Sequence, residues 1–354
     1  MEGSPIDVVV FAPLAPILGV LLFWFIQLLF IESEKYLLTK IRPKHEPLCR
    51  FTNFLGIFFQ TICHALGFTI TKSGISDFFI SVNYGRVAPK KEKRGVFEWV
   101  ANAFLFIGPF FIPAFLILIC LFIGGVNLEI ITPSQLLELK YTFGGQITAF
   151  GANLYAFSRS FFGFLFNIDL LHPGHFGFLL LLIFLGMGIR PSYIGEKKQE
   201  KVDMLYDLKN IWLLIKNKPL YLMLLFLVSY VFFYVSLYLE QNWYTALFSI
   251  FGWLSIISIT SIIIANMLLL LIYKTDELSG VRRALPYIVM PLSYILARLV
   301  FFYFPIDYTN IVSLIVMVLS TVLITYLLLK SKTNKFKSGL GIKLFKKKGE
   351  DDEE

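Results

Sequence analysis

The chain has 354 residues, of which 57% are hydrophobic, 17% aromatic and only 16% charged, with a formal net charge of +8 at pH 7. A water-soluble domain carries about a quarter charged residues, so the composition excludes an ordinary soluble globular protein. The positive charge gathers in loops and in the tail, where it reports membrane orientation and contact with lipid headgroups, and no nucleic-acid partner is expected.

Taken in order, the first apolar run is Val8 to Ile31. It is too long for a signal-peptide core and lacks a basic start and a small-residue cleavage site, so it reads as a retained span. Glu32 to Arg50, with Pro43 and Pro47, reads as a polar loop, with a short surface helix within it as the alternative. Phe54 to Ile70 is an apolar helix that carries His64 and stops at Lys72-Ser73-Gly74. From Ile75 to Val87 the period changes to two, with Phe78, Ile80 and Val82 alternating with Phe79, Ser81 and Asn83, which predicts a strand-like hairpin. A basic connection, Pro89 to Arg94, precedes a span from Val96 to Ile123 that Pro109 and Pro113 should kink.

Gly124 to Ser160 loses uniform apolarity and reads as an external loop with one helix at, or dipping into, the interface, with a full crossing as the alternative. Phe161 to Ile189 is apolar again but interrupted by Asn167, Asp169, His172, Pro173, Gly174 and His175, so its helix starts before that cluster or breaks at Pro173-Gly174. A charged, part-helical loop follows from Arg190 to Lys218, with Arg190-Pro191-Ser192 as a cytoplasmic anchor. Four spans come after it: Leu220 to Tyr238, Thr245 to Tyr273, Leu285 to Phe304 and Ile311 to Leu329. The expected fold is an all-α polytopic membrane protein with about eight transmembrane helices and a short hairpin after the second. Its regions are an N-terminal span and loop (1–50), a membrane core (51–191), a charged loop (192–218), a four-span bundle (219–330) and a basic-then-acidic tail (331–354).

Lys and Arg crowd the Arg190–Lys218 loop, the Lys274–Arg283 loop and the Lys330–Lys348 tail, whereas Glu240–Asn242 and Pro305–Tyr308 are nearly devoid of them. The positive-inside rule therefore predicts a cytoplasmic C-terminus, and eight spans put the N-terminus there too. One conflict remains: if the His64 helix crosses, the basic Glu32–Arg50 loop lies outside, and re-entry of that helix is the alternative. Cys49, Cys63 and Cys120 are widely separated and form no Cys-x-x-Cys pair, so they read as packing residues. Arg298, deep in an apolar run, should face protein, pairing with Glu240 or Asp276, or snorkel.

The motif His64-Ala65-Leu66-Gly67-Phe68 on an apolar helix, the strand-like Gly74-Ile75 to Tyr84-Gly85-Arg86-Val87 segment, the kinked span and the polar-cored span resemble, in that order, the site-2 protease class of intramembrane zinc metalloproteases. The resemblance covers Phe54 to Pro191. It implies that His64 occupies the first ligand position of a His-Glu-x-x-His motif, with Ala65 at the general-base position and Phe68 at the second histidine. By position, Asp169 corresponds to the family's third ligand, without the usual aspartate-glycine pair. In such a motif two histidines four residues apart face one metal and the glutamate activates water, so this chain lacks both the base and one ligand.

Several readings stand side by side at these residues. His64 is either the remnant of a zinc motif or a helix-packing histidine. Asp169, His172 and His175 could join His64 in a substitute zinc site, or form an interfacial turn in which Asp169 caps the next helix. The leading expectation is a non-proteolytic, site-2-protease-like protein, with membrane lipids and transmembrane segments of other proteins as partners. An atypical zinc metalloprotease using His64, Asp169 and His172 or His175 is the second expectation, and a transporter or lipid-handling protein built on Leu220–Leu329 the third.

Overall fold

The computed structural model describes residues 4–82, 84–126, 141–189, 206–217, 219–304, 306 and 308–350. The Arg190-Pro191-Ser192 anchor, much of the two loops around 127–140 and 190–205, and the last four acidic residues lie outside them. A π-helical turn, Asp7–Phe11, leads into α1 (Ala12–Ile41); α2 (Glu46–Ile70), β1 (Ile75–Ile80), β2 (Gly85–Pro89) and α3 (Val96–Ile123) follow. The remaining helices are α4 (Phe143–Phe166), α5 (Pro173–Gly188), α6 (Tyr206–Asn217), α7 (Pro219–Tyr238), α8 (Trp243–Thr275), α9 (Val281–Tyr303) and α10 (Thr309–Glu350). The chain is thus a helical, multi-pass membrane protein with one small antiparallel sheet.

Among the described residues, six helices are long and apolar enough to cross a membrane, and seven if the bent α3 counts as one span. The eighth expected span corresponds to α5, whose 16 residues reach only about 24 Å, short of the roughly 20 residues a crossing needs. The bend in α3 is 55° and falls between Leu105 and Ile107, one turn before Pro109. A proline at 109 cannot donate to the carbonyl four residues back, at Leu105, which places the kink there.

The expected loop from Glu32 to Arg50 is almost wholly helical: α1 runs on to Ile41, and only Arg42–His45 separates it from α2. Its polar residues pair along helix faces, Lys35 with Glu32 at 3.2 Å and Arg50 with Glu46 at 2.9 Å. Pro47 sits in the first turn of α2, where a missing N–H costs nothing.

Two compact units make up the chain, one of residues 1–165 and 172–267, the other of 166–171 and 268–354. In the first, α2 packs on α3 through small residues: an added Cβ on Gly67 would lie 3.0 Å from the Ala101 backbone, and one on Gly108 2.7 Å from Cys63 Sγ. With no hydrophobic drive between helices in lipid, such close approach supplies the packing energy. Helix α4 is more than the interfacial helix expected from its mixed sequence, because Phe150, Leu154, Phe157 and Phe161 enter the main core. There Phe157 stacks between Phe161 and Trp253, with ring centroids 5.7 and 5.3 Å away.

Helix α1 runs parallel to α8, since the Tyr244 hydroxyl donates to the Pro13 carbonyl near the start of both and Asn266 Nδ2 to the Phe30 carbonyl further along. The hydroxyls of Tyr230 and Tyr234, near the end of α7, donate to the carbonyls of Val10 and Val9. Val9, Val10 and Pro13 therefore lie at the same end of this unit as the α7–α8 turn.

Candidate functional site

The hairpin forms where the period-two pattern predicts it, with Phe78 opposite Val87, Phe79 opposite Arg86 and Ile80 opposite Gly85. Gly74 at φ 67 begins the turn into β1, a left-handed conformation suited to glycine. The hairpin lies along α2: a Cβ on Gly85 would meet Thr61 Oγ1 at 2.0 Å and Ile57 at 3.0 Å, so glycine there lets the strand reach the middle of the helix. Phe78, Phe79, Val82 and Tyr84 are all about half exposed (46–52%). Polar and apolar residues share both faces, with Arg86 paired to Asp77 at 3.2 Å, and β2 is mostly half-buried, so the alternation did not separate a buried from a solvated side.

His64 lies one turn beyond Thr61, half-buried, and its ring packs against Phe68 with centroids 4.3 Å apart and the planes tilted by 33°. The helical spacing that would bring two ligating histidines together here brings an imidazole and a phenyl ring together instead. Ala65 is beside them and offers no functional group. His172 and His175 open α5, and their rings meet at 4.7 Å. His175 also packs edge-on against Phe164 at 5.9 Å.

Asp169 belongs to the second unit, in the connection 166–171. Its Oδ2 accepts from Arg298 Nη2 at 3.0 Å, and its Oδ1 from the Tyr294 hydroxyl and the Leu171 N–H, each at 3.0 Å. Arg298 also donates to Asn310 Oδ1 at 2.7 Å, and Asn310 Nδ2 donates to the Asn167 carbonyl at 3.0 Å. Arg298 thus pairs with neither expected carboxylate, and Asp276 is held by Arg283 at 2.6 Å. The guanidinium occupies the carboxylate that the metal reading assigns to zinc, and a cation there would face Arg298. Sequence reasoning missed Tyr294 and Asn310. The available signal was the need of an intramembrane arginine for a carboxylate, with Asp169 as a candidate in a polar break. Among the described residues, no group of three or more His, Cys, Asp or Glu is placed to hold a metal ion.

No family model, curated protein or solved structure matches this chain.

Proposed function

We propose that this protein is non-proteolytic and holds transmembrane segments of other proteins beside the α2–hairpin–α3 core, in the manner that its resemblance to site-2 proteases implies. The observation that carries this reading is the hairpin. It is a two-stranded sheet with exposed Phe78 and Phe79 beside an Asp77–Arg86 ion pair, packed against mid-α2 with no further strand paired to it among the described residues. At bilayer depth an unpaired strand edge leaves N–H and C=O groups that lipid cannot satisfy. An extended peptide segment adding to that edge satisfies them by strand addition, while Phe78, Phe79 and Val82 offer it apolar contact. Ala65 and Phe68, standing where a base and a ligand are needed, support holding without cutting.

A photo-crosslinking amino acid at Phe78, introduced into the full chain in its native membrane, should yield adducts with membrane-spanning polypeptides. Adducts with lipid alone would overturn the reading. Metal analysis provides the second arm: zinc should be sub-stoichiometric and unchanged by His64→Ala, and stoichiometric zinc lost in that variant would favour the metalloprotease instead.

The orientation we favour has the N-terminus outside and the C-terminus inside. Its support is the meeting of Val9, Val10 and Pro13 with the α7–α8 end, combined with the scarcity of basic residues at Glu240–Asn242. This reverses the expectation for the N-terminus and carries Lys40, Arg42 and Lys44 to the basic side; a crossing α2 then carries Lys72 and the basic stretch 90–94 outside, so the charge conflict moves from the front of the chain to the hairpin. A Ser4→Cys variant in a background without Cys49, Cys63 and Cys120 should react with a membrane-impermeant maleimide from outside intact cells. Labelling only after permeabilisation would restore the opposite orientation.

A further inference from the structure

Helices α1, α4 and α8 run in the same direction and are pinned together at two glycines. A Cβ on Gly19 would lie 2.4 Å from Phe150, and one on Gly252 2.4 Å from Leu154. Beyond these glycines α4 and α8 stay packed through Phe157, Phe161 and Trp253, while beside that contact a space opens toward Phe23 of α1. A groove of about 460 Å³ results, lined by Phe23, Leu154, Ser158, Phe162, Ile259 and Ile263 among others. Its volume lies within the roughly 300–1,000 Å³ of sites that hold small ligands. The walls are hydrocarbon and come partly from α1 and α8, both long enough to cross the membrane, so lipid is the surrounding medium.

One lip of the groove differs from the rest. Along α4, Tyr155, Ser158 and Arg159 lie within about one turn of each other, between the wall residues Leu154 and Phe162. Tyr155 is 70% exposed, Arg159 is exposed, and among the described residues Arg159 has no ion-pair or hydrogen-bond partner. A guanidinium beside apolar helices is costly unless something neutralises or hydrates it. Its planar donor fork matches a phosphate better than a point charge would.

We propose that this groove seats one acyl chain of an anionic membrane phospholipid, whose phosphate is held by Arg159 with the Tyr155 and Ser158 hydroxyls beside it. The apolar walls select a hydrocarbon chain, and the Arg159 guanidinium selects the charge of the headgroup. A free phosphate could use the cation but not the groove, and a neutral lipid the groove but not the cation. This site is separate from the hairpin and stands whether or not that element binds peptide.

The test is native mass spectrometry of the delipidated full chain titrated with phosphatidylglycerol, phosphatidylcholine and diacylglycerol. Phosphatidylglycerol should bind at one copy per chain, about tenfold more tightly than phosphatidylcholine, as a charge-assisted contact implies. Arg159→Gln should remove that preference while leaving diacylglycerol binding unchanged, and Ile259→Trp, which fills the groove, should weaken all three. Displacement of the lipid by inorganic phosphate alone would reassign the site to a free anion and overturn the proposal. So would an unchanged preference in Arg159→Gln, or unchanged binding in Ile259→Trp. Because Arg159 is exposed, its variant should fold, and the unaltered diacylglycerol arm checks that it has.

Discussion

Asp169→Ala is expected to destabilise the second unit by about 2–4 kcal/mol, the scale for leaving one partner of a desolvated ion pair unmatched, lowered because both side chains keep some solvent contact. Asp169 and Arg298 are each about one quarter exposed (25% and 26%), so the full cost of a buried charge does not apply. The loss goes beyond one contact. The carboxylate also receives the Tyr294 hydroxyl and the Leu171 N–H, and Arg298 also holds Asn310, which in turn holds the Asn167 carbonyl. Removing the carboxylate leaves the 98%-buried Tyr294 with one fewer acceptor (2% exposed) and Arg298 without a counter-charge. Thermal unfolding and limited proteolysis of the solubilised protein should show Asp169→Ala and Arg298→Ala to be similarly damaging. Asp169→Leu combined with Arg298→Met should cost less than the sum of the separate changes, because no charge is then stranded. Strict additivity would mean that the two residues act independently.

Gly186→Val is the second large effect. A Cβ at Gly186 would sit 2.5 Å from the Ser261 carbonyl oxygen and 2.7 Å from its carbonyl carbon, both backbone atoms of α8 that cannot rotate away. Even alanine there should cost about 1–3 kcal/mol by overpacking, and valine more, because α5 must be pushed off α8. Gly151 and Gly163, on α4, are the controls. A Cβ on either meets nothing within 4 Å, so Gly151→Ala and Gly163→Ala should be neutral or stabilise by up to about 1 kcal/mol through helix propensity. Equal losses at Gly186 and Gly151 in the same unfolding assay would show that close helix approach is not what Gly186 provides.

Much of the fold was legible because lipid makes simple demands. The stretch read as a span from Leu220 to Tyr238 is α7 from Pro219 to Tyr238, and the period-two run gave the hairpin within a few residues. Long apolar stretches must be helical in lipid, and alternation at that length suits only an extended backbone. Reading failed where polar residues occur inside helices. Glu32, Lys35 and Arg42 looked like a loop, yet α1 continues to Ile41 because its charges pair along its own surface and its polar side chains find burial in the unit. Similarly, Gln146 and Asn153 made α4 look interfacial, although both are buried against neighbours in the core, with Thr245 donating to Gln146 and Trp253 to the Asn153 carbonyl.

The candidate sites divide the same way. Sequence spacing alone put residues 64 and 68 on one helix face, so that whatever stands at 68 touches the imidazole, and the 4.3 Å ring contact follows from that spacing. The partner of Arg298 is 129 residues away in sequence, and no periodicity links an arginine on α9 to an aspartate in a short connection. The lipid groove is equally invisible in one dimension, since its walls come from three helices far apart in sequence that approach closely at Gly19 and Gly252.

By itself, then, the sequence determined that the chain lives in a membrane, where its most apolar helices and its hairpin run, and that residues 64 and 68 share one helix face. These properties depend on residue type and on local period, which transfer to lipid without reference to the rest of the chain. Tertiary structure alone decided which polar groups satisfy each other, which end of α1 meets α7, and where the packed helices leave room for a ligand. Those outcomes depend on side-chain size and hydrogen-bond geometry between elements far apart in sequence, where one glycine or one carboxylate sets the result.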